Sequence, residues 1–175
     1  METDERRFER YPEAASFAIV TVSDTLSRAT DDIGAFVRDV LVREGHQVVA
    51  HSIVGEDVGA VRTAVQTLVH GSSLDVLITI GSTGLSTSDC VPEAIAPLLH
   101  KRISGFGELF RALSFQEIGP AAMFSRAFAG LMGHTAVFCL PGSRRAVELA
   151  VERLVLPDLG HLVMMLGFKP TLPPP

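Results

Sequence analysis

The chain has 175 residues, of which 47% are hydrophobic and 20% are charged, and its formal net charge at pH 7 is -5. This length and apolar content predict one domain of ordinary size with a buried core. Its basic residues are scattered and outnumbered by acidic ones, which argues against nucleic-acid or anionic-membrane binding. We therefore expect no nucleic-acid partner and no membrane partner, while a small anionic ligand needs only local positive groups.

The cysteines and the start of the chain indicate a reducing, cytoplasmic location. Cys90 and Cys139 are too few for a secreted disulfide framework, and their spacing is not that of a metal site. The first five residues are acidic, unlike the basic start of a signal peptide, and no apolar run is long enough to span a membrane. We therefore expect a cytoplasmic protein.

Strand and helix patterns alternate along the chain, which predicts an α/β fold with a largely parallel sheet. Apolar, β-branched runs predict strands at residues 17–22, 46–54, 74–80 and 135–140. Apolar spacing and caps predict helices at residues 32–44, 58–69, 144–156 and 157–166. Ser143 is a natural N-cap for the helix that follows it. Between residues 92 and 133 we expect two or three short helices with connections.

We expect residues 15–168 to form a single domain. Residues 1–14 and the proline-rich tail, residues 169–175, contain too little apolar surface to fold alone. They are therefore expected to be a mobile arm and tail, or to lie on a neighbouring subunit.

The most distinctive segment is the loop at residues 80–94, which connects a predicted buried strand with a helix. Gly81 and Gly84 permit a close approach of the backbone that a side chain would block. Asp89 supplies one carboxylate shortly before Pro92, which suits the first turn of a helix. Hydroxyl groups are offered by Ser82, Thr83, Ser86 and Ser88. This chemistry indicates binding of a phosphate or another oxyanion together with a metal ion.

Three polar segments follow predicted strands, at residues 23–24, 81–89 and 141–143. Because the carboxyl ends of parallel strands lie at one edge of the sheet, we expect these segments to converge on a pocket. The chain contains no P-loop signature, and its glycine loop does not match the dinucleotide-binding fingerprint. The alternative is a tight turn that merely links strand to helix.

Seven motifs occur in a specific combination and order: Thr21-Val22-Ser23-Asp24, Gly45-His46, Gly81-x-Thr83-Gly84-Leu85, Asp89-x-x-Pro92-Glu93-Ala94, Gly105-Phe106-Gly107-Glu108-Leu109-Phe110-Arg111-x-Leu113-Ser114, Ser125-Arg126-x-x-x-Gly130 and Leu140-Pro141-Gly142-Ser143. Through them the chain from Phe17 to Leu166 resembles the MoaB and MogA family of molybdenum-cofactor biosynthesis proteins, whose fold also occurs in gephyrin-like proteins. The stretch from Gly105 to Gly119 is closer to the MoaB branch.

The resemblance implies a three-layer α/β/α sandwich with a mostly parallel central sheet that binds molybdopterin, a pterin dithiolene with a terminal phosphate. It also implies that Mg²⁺ and ATP are used to adenylylate this phosphate, with release of pyrophosphate. Such a reaction depends on alignment and charge neutralisation rather than on a covalent nucleophile. The family further suggests a homo-oligomer, either a trimer or a hexamer.

The resemblance also assigns residues to roles. Asp89 matches the essential aspartate of the family, and Glu56 falls where a second carboxylate, usually aspartate, is found. Both are expected to be catalytic and to hold Mg²⁺, with Asp57 as the rival of Glu56. The residues expected to bind substrate are Ser23, Gly81, Ser82, Thr83, Gly84, Glu108, Arg111, Ser114, Ser125, Arg126, Pro141, Gly142 and Ser143.

Several of these residues have structural alternatives. Arg111 could pair with Glu108, which lies three residues before it on a predicted helix. Ser125 and Arg126 could buttress a loop, and Asp24 could cap a turn. The aromatic residues of this region are expected in the core or at a subunit interface: Phe106, Phe110 and Phe115.

Three positions depart from the family pattern. Ser82 replaces the second glycine of a Gly-Gly-Thr-Gly loop, and a positive φ there would cost on the order of 1 kcal/mol. Ser88 replaces an arginine, whose contact with a buried phosphate would be worth about 1.5–3 kcal/mol. Glu56 places its oxygens one methylene further out than aspartate. The alternatives are therefore a non-catalytic molybdopterin-binding or scaffold protein of the same pathway, and a generic nucleotide-binding module.

Overall fold

The computed structural model describes residues 14–71 and 73–167, and a six-stranded sheet lies at its centre. The strands are β1 (Ser16–Val22), β2 (Gln47–Val54), β3 (Val76–Ile80), β4 (Lys101–Arg102), β5 (Phe128–Met132) and β6 (Thr135–Leu140). They are arranged in the order β2-β1-β3-β6-β5-β4. Strands β2, β1, β3 and β6 pair in parallel, and β5 pairs antiparallel with both β6 and β4.

Helices cover both faces of this sheet. They are α1 (Asp32–Arg43), α2 (Val58–Gly71), α3 (Val91–Ile95), α4 (Ser104–Ile118), α5 (Arg144–Ala150) and α6 (Leu159–Met165). Short 3-10 turns lie at Ala96–Leu98, Gly119–Phe124 and Leu156–Asp158. In the part of the chain that the structure describes, no helix is both long and apolar enough to cross a membrane.

The core is divided into two clusters by the sheet, because successive residues of a strand point to opposite faces. Ile78 belongs to the cluster formed with α1, α4, α5 and α6, while its neighbour Leu77 belongs to the cluster formed with α2 and α3. Strand β3 is therefore buried on both faces, as parallel strands usually are. The three-layer α/β/α sandwich with a mostly parallel sheet is confirmed.

The segment from 92 to 133 differs from the expectation of two or three short helices. It contains the short helix α3, the 15-residue helix α4 and also the strands β4 and β5. Strand β5 has the sequence Phe-Ala-Gly-Leu-Met, in which alanine and glycine have weak β propensity. Its conformation is set by pairing with β6 across the short turn at Gly133 rather than by local preference.

The region from Arg144 to Leu166 is also less regular than expected. Ser143 is confirmed as an N-cap, since its Oγ accepts a hydrogen bond from the N–H of Ala146. Helix α5 ends at Ala150 and is followed by a π-helical segment, Val151–Val155. Pro157 lacks the N–H group that a continuous helix would need, which accounts for the break before α6. The expected arm and tail lie outside the described residues, apart from Ala14.

Asp31 joins three structural elements beneath the loop that follows β1. Its Oδ2 accepts a hydrogen bond from Thr21 Oγ1 (2.6 Å) and lies 2.8 Å from His51 Nε2. Its Oδ1 accepts a hydrogen bond from the N–H of Gly34 (2.9 Å) and so caps α1. The side chain has no exposed surface. Burial raises the pKa of Asp31, but these hydrogen bonds outweigh burial and hold the pKa below its usual value of 3.8.

We expect Asp31→Ala to lower the free energy of unfolding by about 3 kcal/mol, because three buried partners lose their acceptor. Since the folded-state pKa is lowered, the stabilisation is complete above the usual pKa of 3.8 and is lost as the pH falls through the folded-state value. Urea unfolding at pH 7 and at about pH 3 measures both effects.

The matched control is Asp39→Ala, whose carboxylate is 69% exposed and should contribute less than about 0.5 kcal/mol. A deficit of the Asp31→Ala variant that does not shrink in acid would contradict this interpretation of the buried carboxylate.

Candidate functional site

The loops that follow four parallel strands touch one another at one edge of the sheet. Asp24 Oδ1 accepts a hydrogen bond from the N–H of Glu56 (2.9 Å), which joins the loops after β1 and β2. The N–H of Gly81 donates to Leu140 O (3.0 Å), which joins the ends of β3 and β6. The segments 23–24, 81–89 and 141–143 therefore follow strands that end at the same edge of the sheet, as expected. A pocket shared by all three remains a prediction, since the cavity that Ser23 and Asp24 line includes no residue of the other two segments.

Gly81 occupies the crowded centre of this edge. Its φ is +96°, and a Cβ added to it would lie 2.7 Å from Val22 O. A Cβ on Gly142 would in turn lie 3.3 Å from the Cα of Gly81. The backbone at the ends of β1, β3 and β6 thus comes together at a point where no side chain fits.

Ser82 closes the loop that follows Gly81. Its φ is +52°, in the left-handed region that is unfavourable for a residue with a Cβ. Its Oγ accepts a hydrogen bond from the N–H of Cys90 (3.0 Å) and donates to Ser88 O (3.4 Å). Its carbonyl accepts from the N–H of Val91 (3.0 Å). The hydroxyl expected to bind substrate is therefore engaged inside the loop.

The backbone after Ser82 offers donors instead. The N–H groups of Thr83, Gly84 and Leu85 have no acceptor within the described chain. Consecutive N–H groups next to a residue with positive φ form a nest, a backbone concavity that binds anions. Of the N–H groups of residues 81–84, which are expected to face a phosphate, that of Gly81 is used by Leu140 O. Those of Thr83 and Gly84, with that of Leu85, remain candidates for holding one.

Arg126 supports this loop from outside. Its Nε donates to Gly84 O (2.8 Å) and to Thr83 O (3.3 Å). The guanidinium also forms a two-point ion pair with the carboxylate of Glu93, in which Nη1 contacts Oε1 and Nη2 lies 3.4 Å from Oε2. Hydrogen bonding to Arg126 holds the pKa of Glu93 below its usual value. Of the two alternatives for Arg126, these contacts are those of a loop buttress.

Asp89 lies at the other end of the loop, and one of its two carboxylate oxygens is hydrogen-bonded within the loop. Its Oδ2 accepts a hydrogen bond from the N–H of Ser86 (2.7 Å), and its own N–H donates to Ser86 O (3.1 Å). A Cβ on Gly84 would lie 2.7 Å from Oδ2, so a side chain there would displace the Asp89 carboxylate. No protein partner of Oδ1 is present among residues 14–71 and 73–167. This oxygen can therefore coordinate a metal ion.

The two rivals for the second carboxylate differ in their contacts. Asp57 Oδ1 caps α2 by accepting a hydrogen bond from the N–H of Ala60 (2.8 Å). The carboxylate of Glu56 has no hydrogen-bond or ion-pair partner in the described structure, and the backbone N–H of Glu56 donates to Asp24 Oδ1. This difference favours Glu56 over Asp57 as a metal ligand. The described residues contain no cluster of three or more metal-binding side chains, so a Mg²⁺ ion here would need ligand phosphate oxygens and water.

Both cysteines are neutral thiols. Burial raises the pKa of Cys139 to about 12. Burial also raises the pKa of Cys90, and the nearby carboxylates of Glu56, Asp57 and Glu93 raise it further. Neither thiol is therefore suited to act as a nucleophile.

A cavity of about 340 Å³ brings together Glu108, Arg111 and Arg126. Arg111 does not pair with Glu108 in the described structure; its Nη1 donates to Ser125 O (3.5 Å) and Ala127 O (3.3 Å). Glu108 is exposed and makes no ion pair within the described part of the chain. It therefore remains available to accept hydrogen bonds from a ligand.

The remaining predicted residues are placed more loosely. Ser114 is buried on α4, and the Oγ of Ser125 accepts a hydrogen bond from the N–H of Ala127 (3.3 Å). Neither Ser114 nor Ser125 lines the cavity that contains Glu108 and Arg111. Pro141 is half-buried and Gly142 and Ser143 are exposed, beyond the end of β6.

A second cavity, of about 500 Å³, lies between the β1–α1 loop and the end of β2. Ser23 contributes to its lining, and its Oγ accepts hydrogen bonds from the N–H groups of Thr25 and Leu26. Arg28 also lines this cavity, although the sequence analysis did not single it out. Arg28 is the basic residue between Ser23 and Asp31. A positive charge in a loop that follows a strand is the sequence feature that could have marked it as a candidate for binding an anion.

We expect Ser82→Ala to destabilise the chain by about 1–3 kcal/mol, because the buried N–H of Cys90 loses its acceptor and the positive φ remains. Ser82→Gly loses the same hydrogen bond but relieves about 1 kcal/mol of backbone strain, so it should be more stable than Ser82→Ala. Urea unfolding gives the free energy of unfolding of both variants, and Ser86→Ala, at an exposed serine of the same loop, is the control. Equal stability of the Ala and Gly variants would show that the backbone at position 82 is unstrained.

Comparisons with known proteins agree with this geometry. Residues 18–161 match the family described as "Probable molybdopterin binding domain". The chain is 43% identical over 156 residues to the molybdenum cofactor biosynthesis protein B of Bacillus anthracis, covering 89% of this chain and 92% of that protein.

Solved structures show the same relationship. A crystal structure of a molybdenum cofactor biosynthesis protein B matches with a TM-score of 0.87 and 42% identity, covering 91% of this chain and 100% of the other. A structure of MogA matches with a TM-score of 0.78 and 29% identity, over 86% of this chain and 99% of the other. The chain therefore belongs to the molybdopterin-binding domain family, on its MoaB-like branch.

Proposed function

We propose that this chain binds molybdopterin at the edge of the sheet and adenylylates its terminal phosphate with Mg²⁺ and ATP. The observation that carries the proposal is the loop of residues 81–89. Within residues 14–71 and 73–167, it combines three N–H groups without acceptors and a carboxylate oxygen of Asp89 without a partner. Donors for a phosphate and a ligand for its counter-ion are thus held on one short segment.

Each residue has a role that follows from its contacts. The N–H groups of Thr83, Gly84 and Leu85 would bind phosphate oxygens, and Asp89 and Glu56 would hold Mg²⁺. The ion would supply charge neutralisation for the phosphates. The cavity at Glu108 and Arg111 would receive the pterin ring, since it offers both an acceptor and cationic donors.

The proposed reaction joins an oxygen of the molybdopterin phosphate to the α-phosphorus of ATP, and the bond to pyrophosphate breaks. The nucleophile belongs to the substrate, so the protein needs no reactive side chain, in agreement with the neutral thiols of Cys90 and Cys139. Its contribution is to align the two phosphates and to offset their charge repulsion.

We expect Asp89→Asn to lower the rate of Mg²⁺- and ATP-dependent adenylylation of molybdopterin by about 100-fold or more, because positioning of a phosphoryl group depends strongly on its metal ligands. The affinity for molybdopterin should change by less than about threefold, since the N–H donors remain. Product formation by the purified chain and pterin binding by fluorescence measure the two quantities.

Asp39→Asn is the matched control, because Asp39 is an exposed carboxylate on α1 that pairs with its neighbour Arg38, far from the loop in sequence. Molybdopterin binding without turnover by the native chain would identify the non-catalytic alternative. Binding of ATP without binding of molybdopterin would identify a nucleotide-binding module and contradict the proposal.

We propose further that the chain forms a homo-oligomer, either a trimer or a hexamer. Phe106 and Phe110 are buried in the core, whereas Phe115 is 58% exposed, so that of the two places expected for it the subunit interface remains. Large exposed apolar side chains are concentrated in this part of the sequence, on α4 and the turn after it, and we call Phe115, Ile118, Met123 and Phe124, with Leu109 further along α4, the apolar patch. Clustered exposure of large apolar side chains is typical of interaction surfaces.

We expect Phe115→Asp to shift the native oligomer towards monomer, because a carboxylate would have to be buried without a partner in the interface. Light scattering after size-exclusion chromatography gives the molar mass. The control Met165→Asp changes a side chain that is equally exposed, at 61%, on α6. A monomeric native chain, or an oligomer that tolerates Phe115→Asp, would contradict the assignment of this patch.

A further inference from the structure

The side chain of Arg126 reaches the loop of residues 81–89 from a distant part of the sequence. It immediately precedes Ala127 and β5, more than 40 residues after the two carbonyl groups that it contacts, Thr83 O and Gly84 O. The side chain is 30% exposed, and Glu93 at the start of α3 holds its outer face. The guanidinium thus connects three segments around the loop.

Its contacts with carbonyl oxygens fix the direction of the neighbouring N–H groups. In a trans peptide the C=O of one residue and the N–H of the next point in opposite directions, and the described chain has no cis peptide bond. When Arg126 holds Thr83 O and Gly84 O, the N–H groups of Gly84 and Leu85 must point away from it. These are two of the three N–H groups that lack an internal acceptor.

The charge of Arg126 also acts through these peptides. A cationic donor on a carbonyl oxygen polarises the peptide and strengthens the N–H at its other end as a donor. The Nε and one hydrogen on each Nη are used by the two carbonyls and by Glu93. Arg126 is therefore occupied and largely neutralised by a carboxylate, which makes it a poor direct ligand for an anion.

We infer that Arg126, held by Glu93, is a positioning residue that aims the N–H groups of Gly84 and Leu85 at a bound phosphate and does not itself contact the ligand. This inference rests on the proposed function only in taking the loop as the phosphate site. It assigns Glu93 a role in binding an anion although Glu93 is itself negatively charged.

The test measures binding of inorganic phosphate to the full chain by titration, observed through the ¹⁵N and ¹H shifts of the Gly84 and Leu85 amides. In the native chain both amide protons should move to lower field on binding. Arg126→Gln should weaken binding by about tenfold and reduce these shifts. Arg126→Lys should not restore them, because an ammonium group cannot hold two carbonyls and a carboxylate in one plane.

Glu93→Gln separates positioning from direct contact. Removal of a negative charge near a phosphate would strengthen binding if electrostatics alone mattered. If Glu93 acts by holding Arg126, Glu93→Gln should weaken binding several-fold, and the double variant with Arg126→Gln should be no weaker than Arg126→Gln alone. Arg62→Gln is the matched control, because Arg62 also donates to carbonyl groups, those of Ala94 and Glu93, but not to the loop.

Tighter or unchanged binding by Glu93→Gln, or full binding by Arg126→Lys, would overturn the inference. Unresponsive amides in the native chain would overturn both the inference and the proposed phosphate site. Responsive amides that follow the expected order, in a chain that transfers no AMP, would support the inference and contradict the proposed activity. Urea unfolding of each variant shows that any lost response comes from a folded chain.

Discussion

The close approach of backbone segments at Gly81 is the constraint on which the rest of the candidate site depends. Strands β1, β3 and β6 end at the same edge, and the carbonyl oxygen of Val22 leaves no space for a Cβ on Gly81, whose own Cα would lie 3.3 Å from a Cβ on Gly142. The crowding is possible because neighbouring parallel strands in one sheet end in register. It places the start of the loop of residues 81–89 against the backbone at the ends of β1 and β6.

The loop of residues 81–89 is held in shape by hydrogen bonds among its own polar groups. Ser82 joins the start of the loop to Cys90 and Val91, and Asp89 folds back onto Ser86. A short run of N–H groups and one carboxylate oxygen of the loop have no partner in the part of the chain that the structure describes. A site built in this way needs little rearrangement to receive a phosphate, since the cost of ordering the loop is met during folding rather than at binding.

The sequence was sufficient to predict the strands at residues 17–22 and 135–140 and the N-cap at Ser143, because these depend on local sequence pattern. It was also sufficient to predict that the loops lie at one edge, because that follows from the geometry of parallel sheets. Strand β5 could not, since Ala129 and Gly130 adopt an extended conformation only through pairing with β6 and β4. Two contacts of the loop could not be predicted: the Ser82 hydroxyl accepts a hydrogen bond from the N–H of Cys90, and Arg126 donates to Gly84 O. Both join residues that are not neighbours in the sequence, and a sequence pattern does not report such contacts.

The shortness of β4 affects how the sheet meets its surroundings. A strand at the edge of a sheet presents unpaired backbone groups that can recruit another strand and start aggregation. Strand β4 has only two residues, Lys101 and Arg102, and both are exposed and positively charged. A second copy of the chain that approached this edge would find only two residues of backbone to pair with. The positive charges of Lys101 and Arg102 on the two copies would also repel each other, so extension of the sheet beyond β4 is disfavoured.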